Sequence, residues 1–136
     1  MADIRKVTAD FAVAPQIEPA DMAQAAKDGF VLVINNRPDG EVPDQPASAE
    51  MAAAAKAAGL AYVHIPVRGG PTPDQVQAVA EAVAGAKGPV LAFCRSGTRS
   101  INTWSLGQAA SGARPRDELV RLGADAGYDL SGVLAV

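Results

Sequence analysis

The sequence predicts a single α/β domain with three layers, in which helices flank a mainly parallel central sheet. Short β-branched or apolar runs alternate along the chain with alanine-rich segments of helical spacing. Strands separated by helices form parallel sheets that are covered on both faces. A chain of 136 residues is long enough for one core, so we expect one domain over residues 1–136.

Four segments have the composition of strands. Three of them are short apolar runs bounded by glycine, asparagine or proline, which is typical of buried strands. They are "FVLVINN" (30–36), "AYVHIPV" (61–67) and "PVLAF" (89–93). A fourth strand is expected at the start of "FAVAPQIEPADMAQAAKDG", followed by a helix that ends at Gly29.

Four more segments have helical patterns, and the second of them has a clear start. Thr72, Pro73 at the first helical position and Gln75 three residues after Thr72 form a capping-box pattern. The helical segments are 48–59, 72–88, 100–112 and 114–127. We expect a short tail after them. The longest irregular stretch, 36–47, is rich in proline, aspartate and glycine and is a candidate functional loop.

Composition narrows the classes of function. The net charge of −3 argues against a nucleic-acid surface, and no apolar run approaches the length of a membrane span. The first residues lack the apolar core of a signal peptide, so we expect a cytoplasmic protein. One cysteine and one histidine are too few for a disulfide or a metal site, and we expect no cofactor.

The one cysteine, Cys94, directly follows the strand "PVLAF". Open α/β sheets bind ligands at the carboxyl ends of their strands. Residues 95–99 then lead into a helix that we expect to begin near Ser100. Unpaired N–H groups and the helix dipole would form a cradle for an anion there, and the same field stabilises a thiolate. A lone cysteine is otherwise most often a buried core residue.

The residues around Cys94 suit an anion-binding loop. Gly97 permits a tight backbone turn, and Arg99 offers a forked guanidinium for an oxyanion. The hydroxyl of Thr98 or of Ser100 could donate to the thiolate or cap the helix.

Two other loop residues are less constrained by the sequence. Ser96 completes the loop, and Arg95 could face the solvent and steer substrates.

The motif "CRSGTRS" resembles the active-site loop of cysteine-dependent phosphatases and rhodaneses. Together with "NNRPDGE" and "YVHIPV", it is similar to the phosphatase-like domain family of beta-lactamase hydrolase-like proteins, also known as a sulfur transferase family. The resemblance runs from about "QIEPAD" to "GYDLSG". It implies a protein-tyrosine-phosphatase-like fold, with Cys94 as the nucleophile and Arg99 as the loop arginine.

Two reactions remain open for such a thiolate, each with a covalent intermediate. A phosphatase would form a phosphocysteine on a phosphoester substrate, whereas a sulfurtransferase would form a persulfide between a small-molecule sulfur donor and an acceptor. Protein tyrosine phosphatases resemble one another in having five residues between cysteine and arginine, but Cys94 and Arg99 are separated by four. The shorter loop matches the rhodanese pattern, so we lean towards sulfane-sulfur transfer.

A phosphatase also needs a general acid. Asp74 and Asp39 are the candidates, but a helix-start role for Asp74 and a turn role for Asp39 are at least as well supported. A third hypothesis is an inactive anion-binding module. The family name further suggests a partner protein in sulfur metabolism.

Three other residues with side chains able to act in a site lie outside the cysteine loop. Arg37 follows a strand end, so it could supply a second anion contact at the same sheet edge or a surface salt bridge. We expect His64 to be a hydrogen-bonded strand residue and Trp104 to be a core residue.

Overall fold

The computed structural model describes residues 2–135, over which five strands form one sheet. The strands are β1 (Arg5–Lys6), β2 (Phe11–Ala14), β3 (Leu32–Asn35), β4 (Ala61–His64) and β5 (Val90–Phe93). A short 3-10 turn, Pro19–Asp21, precedes the first helix. The helices are α1 (Met22–Lys27), α2 (Ser48–Ala57), α3 (Pro73–Gly85), α4 (Thr98–Ala110), α5 (Arg116–Asp125) and α6 (Ser131–Leu134).

The strand order is β1-β2-β5-β3-β4, and every pair is parallel except β1 with β2. The central strand β5 is paired in register on both sides, so that Phe93 lies opposite Ala14 and opposite Asn35. The strands β2, β3 and β5 therefore end at the same level. The segments that follow them, including Cys94, leave the sheet side by side at its carboxyl edge.

Helices cover both faces of the sheet, which confirms the three-layer α/β prediction. Alternate strand residues point to opposite faces because a strand has a period of two. On one face, residues such as Val33 and Leu91 pack with Met51 of α2. On the other, Ile34 and Ala92 pack with residues of α3 to α6.

Trp104 is a core residue, as expected. It is 3% exposed and its ring stacks on Phe11 with centroids 4.8 Å apart and planes 7° apart. The stack fixes α4 against β2 and so sets the position of the helix that follows the cysteine loop.

The structure corrects several sequence-based boundaries. The strands expected at 30–36 and 61–67 are only four residues long, although backbone hydrogen bonds from Asn36 and Ile65 to neighbouring segments continue past their ends. The helix expected at 72–88 ends at Gly85. The two-residue β1 and the helix α6 were not predicted.

No helix within residues 2–135 combines the length and the apolar character needed to cross a bilayer.

Candidate active site

Cys94 lies at the end of β5, beneath the loop that leads into α4. Its backbone N–H points to the carbonyl oxygen of Ala14 at 3.4 Å, and its side chain has no exposed surface. The sulfur accepts a hydrogen bond from the backbone N–H of Gly97 at 3.1 Å. Cys94 also belongs to neither of the two apolar clusters that its strand neighbours Ala92 and Phe93 join. Its sulfur is therefore fully buried, with the Gly97 N–H group as a polar partner.

The helix α4 begins at Thr98, two residues earlier than expected. Gly97 is its N-cap, with φ +90° and ψ −14°, and this left-handed conformation closes the loop tightly enough for the helix to start at once. The first turn of a helix has backbone N–H groups without helical partners. The early start places Arg99 within this turn, directly after the loop that holds Cys94.

The guanidinium of Arg99 is held by Glu41, which sequence reasoning had overlooked. Its Nη1 and Nη2 atoms donate to the two carboxylate oxygens of Glu41, each at 2.8 Å. Nη1 also donates to the carbonyl oxygen of Val67 at 2.9 Å. A guanidinium has five N–H groups, and three of those on Arg99 are engaged in this way. The Nε–H and one Nη2–H remain for another acceptor.

Glu41 also binds Arg37, which is 4% exposed. The Nε of Arg37 donates to Glu41 at 2.9 Å, and its Nη1 donates to Gln16 Oε1 at 3.0 Å. Arg37 follows β3 at the same sheet edge as Cys94, but its salt bridge is buried rather than at the surface, and it forms an ionic cluster with Glu41 and Arg99. This cluster, Arg37–Glu41–Arg99, is called the ionic cluster below.

The charges of the ionic cluster stabilise one another. The hydrogen bond from Arg99, with a further contribution from Arg37, lowers the pKa of Glu41 to about 2. The hydrogen bond to Glu41 raises the pKa of Arg99, and the negative charge of an ionised Cys94 raises it further. At neutral pH the carboxylate and both guanidinium groups are charged, so the site carries a net positive charge next to the sulfur.

The loop hydroxyls have other partners than those considered from the sequence. Ser100 is fully buried and donates to Asn36 Oδ1 at 2.8 Å, rather than to the thiolate. Asn36 in turn donates to the carbonyl oxygen of Ile65 at 2.9 Å, so these side chains tie α4 to the segments after β3 and β4. The hydroxyl of Thr98 accepts from Ser96 Oγ at 3.0 Å.

Ser96, rather than Thr98 or Ser100, contacts a backbone N–H group at the start of α4. Its Oγ accepts the backbone N–H of Thr98 at 3.3 Å. The Ser96 carbonyl oxygen accepts the hydroxyl of Tyr128 at 2.9 Å. Arg95 is exposed, and its carbonyl oxygen accepts the N–H of Gln16 at 3.2 Å.

Neither candidate acid is hydrogen-bonded to the loop. Asp39 is exposed and its carboxylate accepts the backbone N–H of Ser48 at 2.8 Å, at the start of α2. Asp74 is exposed in the first turn of α3, where Thr72 and Gln75 form the expected capping box. His64 is a hydrogen-bonded strand residue, with Nε2 2.8 Å from the carbonyl oxygen of Arg37.

Within residues 2–135, no three histidine, cysteine, aspartate or glutamate side chains come together as metal ligands would.

Comparison with known proteins gives the site a family. The family described as "Beta-lactamase hydrolase-like protein, phosphatase-like domain" matches residues 3–111. A beta-lactamase hydrolase-like protein of Xylella fastidiosa is 40% identical over 120 residues, which are 88% of this chain and 28% of the relative. The chain thus spans little more than a quarter of the length of that relative.

Solved structures confirm the fold. The candidate phosphatase nma1982 of Neisseria meningitidis has a TM-score of 0.85 and 34% identity, over 97% of this chain and 94% of the other. PTPMT1, solved in complex with PI(5)P, has a TM-score of 0.71 and 13% identity, over 88% of this chain and 80% of the other. The fold is therefore protein-tyrosine-phosphatase-like. With the family match over most of its length, the chain belongs to the phosphatase-like domain family of beta-lactamase hydrolase-like proteins.

Proposed function

We propose that Cys94 is the nucleophile of a group-transfer reaction, and that sulfane-sulfur transfer is the reaction this site serves best. The proposal is supported by the sulfur lying under a backbone N–H donor beside the ionic cluster. It is also supported by the chemistry of sulfane-sulfur donors such as thiosulfate, because their leaving groups depart without a proton from a general acid. Membership of the family also supports cysteine-dependent, phosphatase-like chemistry.

The transfer has two balanced steps. The Cys94 thiolate attacks the outer sulfur of a donor such as thiosulfate, the S–S bond of the donor breaks, and sulfite leaves with the electron pair. The persulfide on Cys94 then gives its outer sulfur to an acceptor thiolate or to cyanide, and the Cys94 thiolate is restored. Both leaving groups depart as stable anions, so neither step needs a proton donor.

Arg99 is well placed to bind the anionic end of the donor. Glu41 engages its Nη1 and Nη2 end, which leaves the Nε–H and the second Nη2–H on the side of the guanidinium. Such a pair binds two oxygens of a sulfonate or phosphate in the forked manner typical of arginine. Glu41 is thus a positioning residue that leaves the Nε–Nη2 edge of the Arg99 guanidinium available to a substrate.

None of the carboxylates of Glu41, Asp39 and Asp74 is suited to donate a proton at the loop. The assignment of sulfur transfer depends on this observation. Glu41 has a pKa of about 2 and is ionised at neutral pH. The carboxylate of Asp39 is engaged by the backbone of Ser48. Asp74 is exposed, without a hydrogen bond to the loop among the described residues. An acid usually contributes about 10²–10⁴-fold to phosphate ester hydrolysis.

Phosphatase action is the second candidate, and the fold favours it. PTPMT1, which shares the fold, was solved in complex with PI(5)P, a phosphate ester. The same thiolate and Arg99 would serve a phosphocysteine intermediate. Without an acid, we expect such activity to be confined to aryl phosphates, whose leaving groups are stable anions.

Parallel turnover assays distinguish the two reactions. The protein is incubated with thiosulfate and cyanide, with thiocyanate as the product, and separately with an aryl phosphate. We expect thiocyanate to form at a rate that is lost in Cys94→Ser and in Arg99→Ala. Phosphate release that depends on both residues, without thiocyanate, would refute sulfur transfer and support the phosphatase. Loss of both activities with anion binding retained would support an inactive binding module.

A further inference from the structure

One peptide group of the loop is held at both of its ends. The carbonyl oxygen of Ser96 accepts the Tyr128 hydroxyl at 2.9 Å. The N–H of the same peptide, on Gly97, donates to the Cys94 sulfur at 3.1 Å. In a trans peptide the C=O and N–H groups point in opposite directions within one plane. Holding the carbonyl towards Tyr128 therefore aims the N–H at the sulfur.

The peptide needs such a restraint because it precedes a glycine. Gly97 has φ +90°, and a glycine adopts positive and negative φ with similar ease. A reversal of the Ser96–Gly97 peptide would turn the carbonyl oxygen, rather than the N–H group, towards Cys94. Two negative atoms would then face each other once the thiol is ionised, and the sulfur would lose its backbone donor.

Tyr128 sits directly over this glycine. A β-carbon at Gly97 would clash with the Tyr128 hydroxyl oxygen. The tyrosine ring is held in turn by Arg5, whose guanidinium carbon lies 5.4 Å from the ring centroid. The backbone N–H of Tyr128 donates to the carbonyl oxygen of Gly123 at 2.8 Å, which fixes the residue to the end of α5.

The hydroxyl is also in the right state to donate. Burial raises the pKa of Tyr128 above its ordinary value, so the phenol keeps its proton at neutral pH. A phenolate could not hold the Ser96 carbonyl, because it has no proton to donate.

We infer that Tyr128 is a positioning residue that keeps the Ser96–Gly97 amide directed at Cys94 and thereby supports the reactivity of its sulfur. The inference rests on the proposed role of Cys94 as nucleophile. Tyr128 lies beyond residues 3–111, the part matched by the family. The reactivity of the loop therefore depends on the segment between α5 and α6.

The test compares Tyr128→Phe with the parent protein, using iodoacetamide to alkylate Cys94 over a range of pH. The substitution keeps the ring over Gly97 and removes only the hydroxyl. Tyr62→Phe is the matched control, because the Tyr62 hydroxyl contacts Asn35 and Ser48 and none of the loop residues. We expect alkylation near neutral pH to slow about fivefold in Tyr128→Phe, the factor that corresponds to about 1 kcal/mol for a neutral hydrogen bond. We expect the control to match the parent.

Thermal unfolding of each variant separates reactivity from stability. A Tyr128→Phe protein that alkylates as fast as the parent would overturn the inference. So would a parent whose Cys94 resists alkylation at every pH, since the tyrosine would then have no reactivity to support. Alkylation needs no substrate. If the parent transfers neither sulfur nor phosphate but the tyrosine effect persists, the proposed function fails and the positioning role stands.

A second readout reports the peptide itself. In a ¹⁵N-labelled protein, the amide proton of Gly97 should shift as Cys94 ionises, because that proton is bonded to the sulfur. We expect the shift to shrink in Tyr128→Phe and to remain in Tyr62→Phe. An unchanged shift in Tyr128→Phe would contradict the inference.

Discussion

Replacing Glu41 with glutamine probes the ionic cluster most sharply. The glutamine keeps the shape of the side chain but removes its charge, and its amide nitrogen must face a guanidinium. Three charge-assisted hydrogen bonds of 2.8–2.9 Å are weakened at once. Arg37, at 4% exposure, would keep its charge in a buried position without a carboxylate partner.

The size of the effect follows from these contacts. Hydrogen bonds to charged groups contribute about 1.5–3 kcal/mol each when buried, and partial exposure of Glu41 and Arg99 reduces that value. We expect E41Q to lower the free energy of unfolding by about 2 kcal/mol at pH 7, and Tm by roughly 6–12 °C. Activity should fall about tenfold or more, because the Arg99 fork loses its fixed orientation.

The stabilisation that the Glu41 carboxylate contributes should decrease as the pH falls. The pKa of Glu41 is about 2 in the folded chain and 4.5 ordinarily, so its stabilisation is present above the higher value and is lost as the pH falls. The difference between parent and E41Q should therefore shrink to about half at pH 3. Urea unfolding at both pH values measures it.

Glu81 provides a control for the loss of one carboxylate. It is exposed on α3 and accepts a hydrogen bond only from Gln77 among the described residues, so E81Q should change stability by less than about 0.5 kcal/mol. Equal stability of E41Q and the parent at pH 7, or a difference that grows as the pH falls, would refute the reasoning.

Three further substitutions test the loop and its support. Arg99→Lys keeps the charge but loses the forked donors, so kcat/KM should fall at least about 100-fold while urea unfolding changes far less; near-parental kcat/KM would contradict the binding role. Gly97→Ala places a β-carbon against Tyr128 at a φ of +90°, so unfolding measurements should show a loss of about 2 kcal/mol or more, and no loss would mean that the loop adopts another conformation. Trp104→Ala removes the ring stacked on Phe11 and should cost about 3–5 kcal/mol, measured in the same way. A cost below about 1 kcal/mol would show that α4 does not depend on this stack.

The fold could be predicted because its signals are local. Apolar runs, capping residues and glycine stops each act within a few residues, and the alternation of strands and helices then leaves few topologies. The two-residue strand β1 carries too short a pattern to be found this way. The start of α4 was placed two residues late because it depends on the left-handed conformation of Gly97.

The candidate site could be predicted only in part, since its partners are distant in the chain. Cys94 and Arg99 lie in one motif, and a strand end followed by a helix start is visible in the sequence. Glu41 meets Arg99 across 58 positions, and Tyr128 meets Ser96 across 32. Glu41 lies in the 36–47 loop that the sequence singled out, four residues after Arg37, and this spacing of opposite charges was the available signal. The sequence around Tyr128 has no comparable pattern that would indicate its contact with Ser96.

The identity of the group carried by Cys94 is the most direct test of the central claim. The intact mass of the protein is measured after exposure to thiosulfate, and again after exposure to an aryl phosphate, with Cys94→Ser as the control. We predict that the parent gains one sulfur atom from thiosulfate, that a reductant removes it, and that Cys94→Ser gains nothing. A parent protein that gains no group from either donor, or that gains one equally in Cys94→Ser, would contradict covalent catalysis at this cysteine.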